Sequence, residues 1–463
     1  MRDHGSGLGV LDILPVRAGA LDSTAGVALW LRSAGAAERS RQLAAMSKTQ
    51  LARFVSLLDA DAGAGAELLE SLDTDLAAKV VRRAEIAAAA SMLGRLEYDD
   101  AAAILRRLDD AIRTAILNAL GTRDAEALRA MLAWPAGSTA THMIPDVFTV
   151  QAGQTVTEAG AAVREQCTQV RGKARDEAPI YVVDEQRRLI GVVDFQDLVL
   201  AEPTQTIAEF MADGPAWVRP LADAEEAAHA LVDHDLPALP VVDDEHRLIG
   251  VLTAEAATDI LAEEATEDAE RQGGSMPLEV PYLRASPWLL WRKRIVWLLV
   301  LFVAEAYTGT VLRAFEEELD AVVALAFFIP LLIGTGGNTG TQITTTLVRA
   351  MATGQAQLRD LPRILVKEIS AGLLVAITMA TVGIMRAWTL GVGKEVTITV
   401  ALTLAAIVLW SSIAASVLPP LLKKFRVDPA VVSAPLISTV VDGTGLILYF
   451  LIAHATLPEL AGL

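Results

Sequence analysis

The run GTGGNTGTQITTT, residues 334–346, decides how the C-terminal part of the chain is read. It follows an apolar stretch, residues 321–333, inside a region apolar enough to span a bilayer. Hydrocarbon offers no partners for polar side chains. Glycine-loosened backbone is tolerated at membrane depth only where protein or water covers it. A segment carrying Asn338, Gln342 and several threonines therefore needs something other than lipid to face. Gly336 and Gly340 form a G-x-x-x-G pair, a close-packing signal between membrane helices. Pro330 and the glycines allow the helix to kink. The run is not a phosphate loop, because no lysine follows its glycines, and it does not match G-x-G-x-x-G.

Working outward, five spans are predicted at about 295–315, 321–350, 369–390, 396–420 and 430–455, each long enough for a core of roughly 30 Å. Basic clusters alternate along the loops: Arg292–Arg294 before span one, Arg349, Arg359, Arg363 and Lys367 between spans two and three, and Lys423, Lys424 and Arg426 between four and five. The positive-inside bias then puts the N-terminal part in the cytoplasm and the C-terminus outside. The start, MRDHGSGLGVLDIL, lacks the basic and apolar regions of a cleaved signal.

The chain has 463 residues and a net charge of -18. Its length suggests about three domains. Residues 291–463 carry 13 basic and 11 acidic groups, so the acidic excess lies wholly in the first 290 residues. Such a balance argues against nucleic acid as a partner and allows cation binding. Cys167 is the only cysteine, which excludes an internal disulfide and fits a cytosolic soluble part.

Residues 1–140 show apolar residues at three- and four-residue steps in short units, predicting an all-α, superhelical or bundle-like domain. Residues 141–262 hold a repeat: YVVDEQRRLIGV (181–192) returns as PVVDDEHRLIGV (240–251). Each copy reads as β-α-β-β-α, and the tandem resembles a pair of CBS domains. Residues 263–291 begin as a charged helix that Gly273, Gly274, Pro277 and Pro281 interrupt. Residues 292–463 form the all-α, five-helix transmembrane domain. The fold class is thus a multidomain membrane protein with an α/β CBS pair between two helical parts.

Asp442 lies in the fifth span with apolar sequence on both sides. A carboxylate there costs at least about 2.5–3.5 kcal/mol on insertion scales. Ser438, Thr439 and Gly445 share its helix face. Such a residue either anchors a neighbouring span or lines an ion path. The candidate ligands are all oxygen, and His454 is the only histidine in the membrane part, which favours hard cations over zinc or copper. Physics alone leaves Mg²⁺, Na⁺ and H⁺ open.

Two stretches, PLLIGTGGNTGTQITTTLVRAMATG (330–354) and DPAVVSAPLISTVVDGTGLILYF (428–450), resemble the MgtE family of magnesium channels and transporters, and the domain order matches. The resemblance implies a homodimer in the cell inner (plasma) membrane that imports Mg²⁺, with Asp442 as central pore carboxylate and Asn338 as a supporting element. It also implies sensing of cytoplasmic Mg²⁺, which bridges acidic faces of the N domain, CBS pair and connecting ("plug") helix and shuts the pore. The acids matched by position are Asp99, Asp100, Asp243, Asp244, Glu255, Asp259, Glu267 and Asp268.

CBS pairs commonly bind adenine nucleotides such as ATP through a G-h-h-T-x-x-D pattern, where h is apolar. The first copy, GVVDFQD, keeps Asp197; the second, GVLTAEA, keeps Thr253. Neither pattern is complete. Competing functions are a secondary transporter coupled to Na⁺ or H⁺, and a membrane-anchored nucleotide sensor. The polar glycine-rich span argues against a mere anchor. An enzyme is not expected, because no H-E-x-x-H or G-x-S-x-G motif is present.

Overall fold

Polar residues at helix starts cut the N-terminal region into short helices. Ser47 and Gln50 close a capping box, and Asp61 and Asp73 accept the first free N–H groups of Ala62–Glu70 and Thr74–Val81. A computed structural model describes residues 21, 23–167, 178–425 and 434–460. The start MRDHGSGLGVLDIL, Arg426 and the beginning of the predicted fifth span lie outside them. The described chain divides into two units, Met1–Ala262 and Glu263–Leu463.

In the first unit, Ala62–Glu70 packs on Ile86–Leu93, which packs on Asp110–Ala119. Between them run Thr74–Val81, Tyr98–Arg106 and Thr122–Ala133, packed on one another in the same way. These two alternating layers are the expected superhelical stack. Their core holds Trp30, Phe54, Leu68, Val80, Leu105 and Leu128.

Strand β1 (Thr149–Gln151) runs parallel to β2 (Ile180–Val183), and the repeat builds two matched hairpins, β2 with β3 (Leu189–Val193) and β5 (Ala238–Val242) with β6 (Leu248–Thr253). Each turn holds a residue at positive φ, Arg187 at 63° and His246 at 65°. Each is braced by an aspartate, Asp184 or Asp243, accepting N–H bonds from two and four residues further on. The turns also bond to each other: the Leu189 N–H donates to His246 O and the Leu248 N–H to Arg187 O, both at 3.0 Å.

The lead-in segments are exchanged as well. Ile144, before the first copy, pairs with Val251 of β6. Strand β4 (Ala212–Asp213), before the second copy, pairs with β3. This exchange explains the glycine repeated in RLIGV. A Cβ on Gly191 would lie 3.0 Å from Ala212 O, and one on Gly250 would lie 2.8 Å from Ile144 O.

Among its described residues, the second unit holds five helices long and apolar enough to cross a membrane: Pro287–Ala314, Val323–Ala352, Leu358–Leu390, Lys394–Lys424 and Ala434–Thr456. Span three starts earlier than hydropathy predicts, because its first turns carry Arg363 and Lys367 while remaining helical. The glycine run does not break span two: Ile329–Ala352 is one α-helix, with Pro330 in its first turn, where a missing N–H costs nothing.

Span two packs on spans four and five. A Cβ on Gly336 would meet Ile407 at 2.6 Å and Val441 at 2.7 Å. One on Gly340 would collide with Ile437 and lie 2.9 Å from Ser411 Oγ. Ser411 donates a 2.7 Å hydrogen bond to Gly336 O, so the contact is polar as well as close. Gly340→Val is therefore expected to cost roughly 1–3 kcal/mol or more through overpacking. Gly334 has nothing within 4 Å, so Gly334→Ala should be neutral or mildly stabilising. Melting of the detergent-solubilised protein compares the two.

Candidate functional site

A helix that leans on its neighbours through Gly336 and Gly340 must turn its opposite face outward. On span two that face carries Gly334, Asn338, Gln342 and Thr345, all exposed in the single chain. They recur at three- and four-residue spacing and so form one stripe along the helix. A polar stripe on the outside of a membrane helix is unfavourable against lipid and suits water or a second protein surface.

Asp442 lies beside this stripe. A Cβ on Gly337 would be 2.9 Å from Ser438 Oγ and 3.6 Å from Asp442 Oδ1. Only glycine leaves room there, so span two's backbone approaches the carboxylate directly. Asp442 Oδ1 is shielded from water and has no hydrogen-bond partner among the described residues. An anchoring carboxylate would have one. The Ser438 hydroxyl lies one turn before it on the same helix, and Asn338 follows Gly337 on span two.

The predicted sensing acids fall into separate groups. Asp99 and Asp100 sit in the first turn of Tyr98–Arg106, while Glu255 and Asp259 lie one turn apart on Ala254–Gln272. The fold brings Asp100, Glu255 and Asp259 together across the N domain and the CBS pair, with Asp99 beside Asp100. Burial first, then Asp100 and Glu97, hold the Asp99 carboxyl well above the usual range. Asp99 Oδ1 has no hydrogen-bond partner among the described residues.

Asp100 is still touched by water, yet the surrounding protein withdraws bulk solvent. That burial, followed by Asp259 and Glu255, raises its carboxyl. Burial and then Glu255 raise Asp259. Glu70 joins the same cluster, raised by burial and then by Asp100, Glu67 and Glu255. Sequence reasoning missed Glu70, which belongs to no motif and reaches the cluster only through the helical stack.

Asp243 braces its turn and pairs with Arg247 at 2.7 Å. Burial acts upward on its carboxyl, but bonds from Arg247 prevail and lower it. Asp244 is exposed and 3.8 Å from Arg219. Both lie at the hairpin turn with cationic partners. Glu267 belongs to the second unit and pairs with Arg271 at 2.7 Å, and Asp268 follows it on the same helix. Among the described residues, no three His, Cys, Asp or Glu side chains converge closely enough to grip a bare metal ion. The acids can still act on an ion that keeps its water, as Mg²⁺ does.

The nucleotide candidates are less open. Thr253 is buried, and its hydroxyl accepts the Ala256 N–H, capping a helix. Asp197 is exposed on Phe195–Leu200. A polar cleft of about 500 Å³, between Arg123, Asp146, Gln151 and Arg187, is lined by neither.

Known proteins resemble this chain along most of its length. The profile of MgtE, described as a divalent cation transporter, matches residues 329–452. That of the MgtE intracellular N domain matches 34–137, and CBS-domain profiles match 140–203 and 207–263. The magnesium transporter MgtE of Thermus thermophilus is 39% identical over 315 residues, 68% of this chain and 69% of that protein. The Bacillus subtilis protein of the same name is 29% identical over 73% of each chain. The solved cytosolic domain of the Mg²⁺ channel MgtE in complex with ATP shares 27% identity at a TM-score of 0.46, covering 51% of this chain and 94% of that one.

Acids raised by burial and mutual repulsion have a measurable consequence. The folded chain holds their protons more tightly than the unfolded chain does. Their contribution to stability is therefore fully present at acid pH and is lost as pH rises from the ordinary carboxylate range through the raised values. Asp99→Asn with Asp100→Asn should flatten that slope and raise the melting temperature near neutral pH in metal-free buffer. Melting of the full-length protein against pH reads both.

Proposed function

We propose that this chain, which belongs to the MgtE family of divalent cation transporters, carries Mg²⁺ into the cell as a homodimeric channel that cytoplasmic Mg²⁺ shuts. The observation that carries the reading is the unpartnered Asp442 carboxylate beside the exposed polar stripe of span two. Paired with a second copy, that stripe would leave lipid and line a water-filled path. One Asp442 from each copy would then attract a hydrated divalent ion, with Asn338 as a neutral neighbour. An inside-negative potential favours entry by about 2.3 kcal/mol per charge per 100 mV, doubled for Mg²⁺.

The regulatory part rests on the crowding of Glu70, Asp99, Asp100, Glu255 and Asp259. With no cation they repel. A hydrated Mg²⁺ among them offsets that repulsion and favours the packed arrangement of N domain and CBS pair, which we assign to the shut pore. Glu267 and Asp268 on the connecting helix are further acids that answer cytoplasmic Mg²⁺. Asp243 and Asp244 act at most by attracting ions to the hairpin turn.

We retain the division into N domain (1–140), CBS pair (141–262), connecting helix and linker (263–291) and pore domain (292–463). The membrane is the cell membrane, with the N-terminal domains cytoplasmic and the C-terminus outside. ATP or another adenine nucleotide is proposed as a CBS ligand on Asp197 alone, since the Thr253 hydroxyl is already engaged in a helix cap.

The test is Mg²⁺ current through membrane patches while Mg²⁺ is stepped on the cytoplasmic face. Asp442→Asn is expected to abolish current, whereas Asp100→Asn with Asp259→Asn should conduct and respond to cytoplasmic Mg²⁺ with an altered threshold. Flux that instead requires a Na⁺ or H⁺ gradient would replace the channel with a coupled transporter.

A further inference from the structure

Span one carries an acid that no motif marks. Glu305 lies in LLVLFVAEAYTGTV, between apolar residues and about 20 Å along the helix from Arg292 at 1.5 Å per residue. Its side chain is exposed in the single chain. A lipid-facing carboxylate at this depth would be costly, so its surroundings need a reason.

The packing of span one on span five gives one. A Cβ on Gly443 would collide with the Tyr307 ring and lie 3.3 Å from Thr308 Oγ1. Gly443 is the residue after Asp442, so span one crosses span five at the level of the carboxylate. Thr308 is only 6% exposed, and its hydroxyl has no hydrogen-bond partner among the described residues. Two buried threonines of these helices bond to their own backbone, Thr399 to Glu395 and Thr439 to Pro435, whereas Thr344 and Thr403 share the unbonded state of Thr308. Thr308 leaves its oxygen beside the backbone that carries Asp442.

Glu305 is one turn before Thr308 on the same side of the helix, at the margin of the face that packs on span five. Spans one and five run in the same direction, and side chains lean toward the N-terminus of their helix, so both carboxylates point the same way along the membrane. The crossing at Gly443 puts Glu305, three residues before Thr308, about one helical turn along the membrane from the level of Asp442.

We propose that Glu305 is a second acidic residue of the transmembrane cation site, acting with Asp442 and the Thr308 hydroxyl on a hydrated divalent cation. The proposal rests on the reading of Asp442 as the intramembrane ion carboxylate. Asp442 is approached by span two through Gly337 on one side and by span one on another. Glu305 adds charge without completing a rigid cage, which suits an ion that keeps its water and must leave again.

Full-length protein in liposomes, with Mg²⁺ influx followed by a trapped indicator against external Mg²⁺, tests this. Glu305→Gln is expected to raise the half-saturating Mg²⁺ concentration about tenfold, the effect of one charge on a divalent ion about 6 Å away in water. The maximum rate and shut-off by internal Mg²⁺ should persist. Glu305→Asp, which keeps the charge, should fall between the two. If Glu305→Gln saturates as wild type does while Asp442→Asn is inactive, the inference fails and Asp442 keeps its role. If Asp442→Asn also transports normally, the pore reading itself fails. Should Glu305→Gln not insert, Glu305→Asp decides: a shift of severalfold supports the site, and unchanged saturation overturns it.

Discussion

Close approach of backbone at Gly336, Gly337 and Gly340 is the constraint on which the membrane half depends. Lipid tails give apolar helices no reason to prefer one another, so association rests on packing density and on satisfied polar groups. The glycines supply the first, and the Ser411 hydroxyl on Gly336 O supplies the second. Because Gly336 and Gly340 face inward, Asn338 and Gln342 must face outward, on the opposite side of the helix. Gly337, between the two directions, meets Asp442. One short run thus fixes what span two leans on, what it offers to the outside and which carboxylate its backbone approaches.

The soluble half relies on a contrary interaction. Glu70, Asp99, Asp100, Glu255 and Asp259 are drawn together by packing around them while they repel one another. Burial is the leading cause of each raised carboxyl that belongs to this cluster. The apolar core therefore holds an electrostatically unfavourable arrangement, and the balance can be shifted by protons or by a cation.

Much of this was legible in the sequence. The repeat exposed the CBS pair because identical strands and turns recur at a fixed offset. Five spans followed from hydropathy, and Asp442 stood out as a charge where charge is costly. Contacts between distant segments were not legible. Glu70 has no local signature. Thr253 matches a ligand pattern but caps a helix, and Asp243 matches a sensing position but braces a turn against Arg247. The glycine run allowed a kink, yet cooperative helix hydrogen bonding and the tight seat against spans four and five keep Ile329–Ala352 unbroken. Glu305 was readable as an acid in an apolar stretch, but its meaning required the crossing at Gly443.

The two hairpins of the CBS pair exchange more than a shared surface. Each turn donates a backbone bond to the other, and each sheet is edged by the segment leading into the opposite copy. Neither copy is complete without its sibling, so the pair cannot part along its own symmetry axis without breaking strand bonds at both ends. A push on either copy is therefore carried by both, and the pair shifts as a single block rather than flexing between its halves.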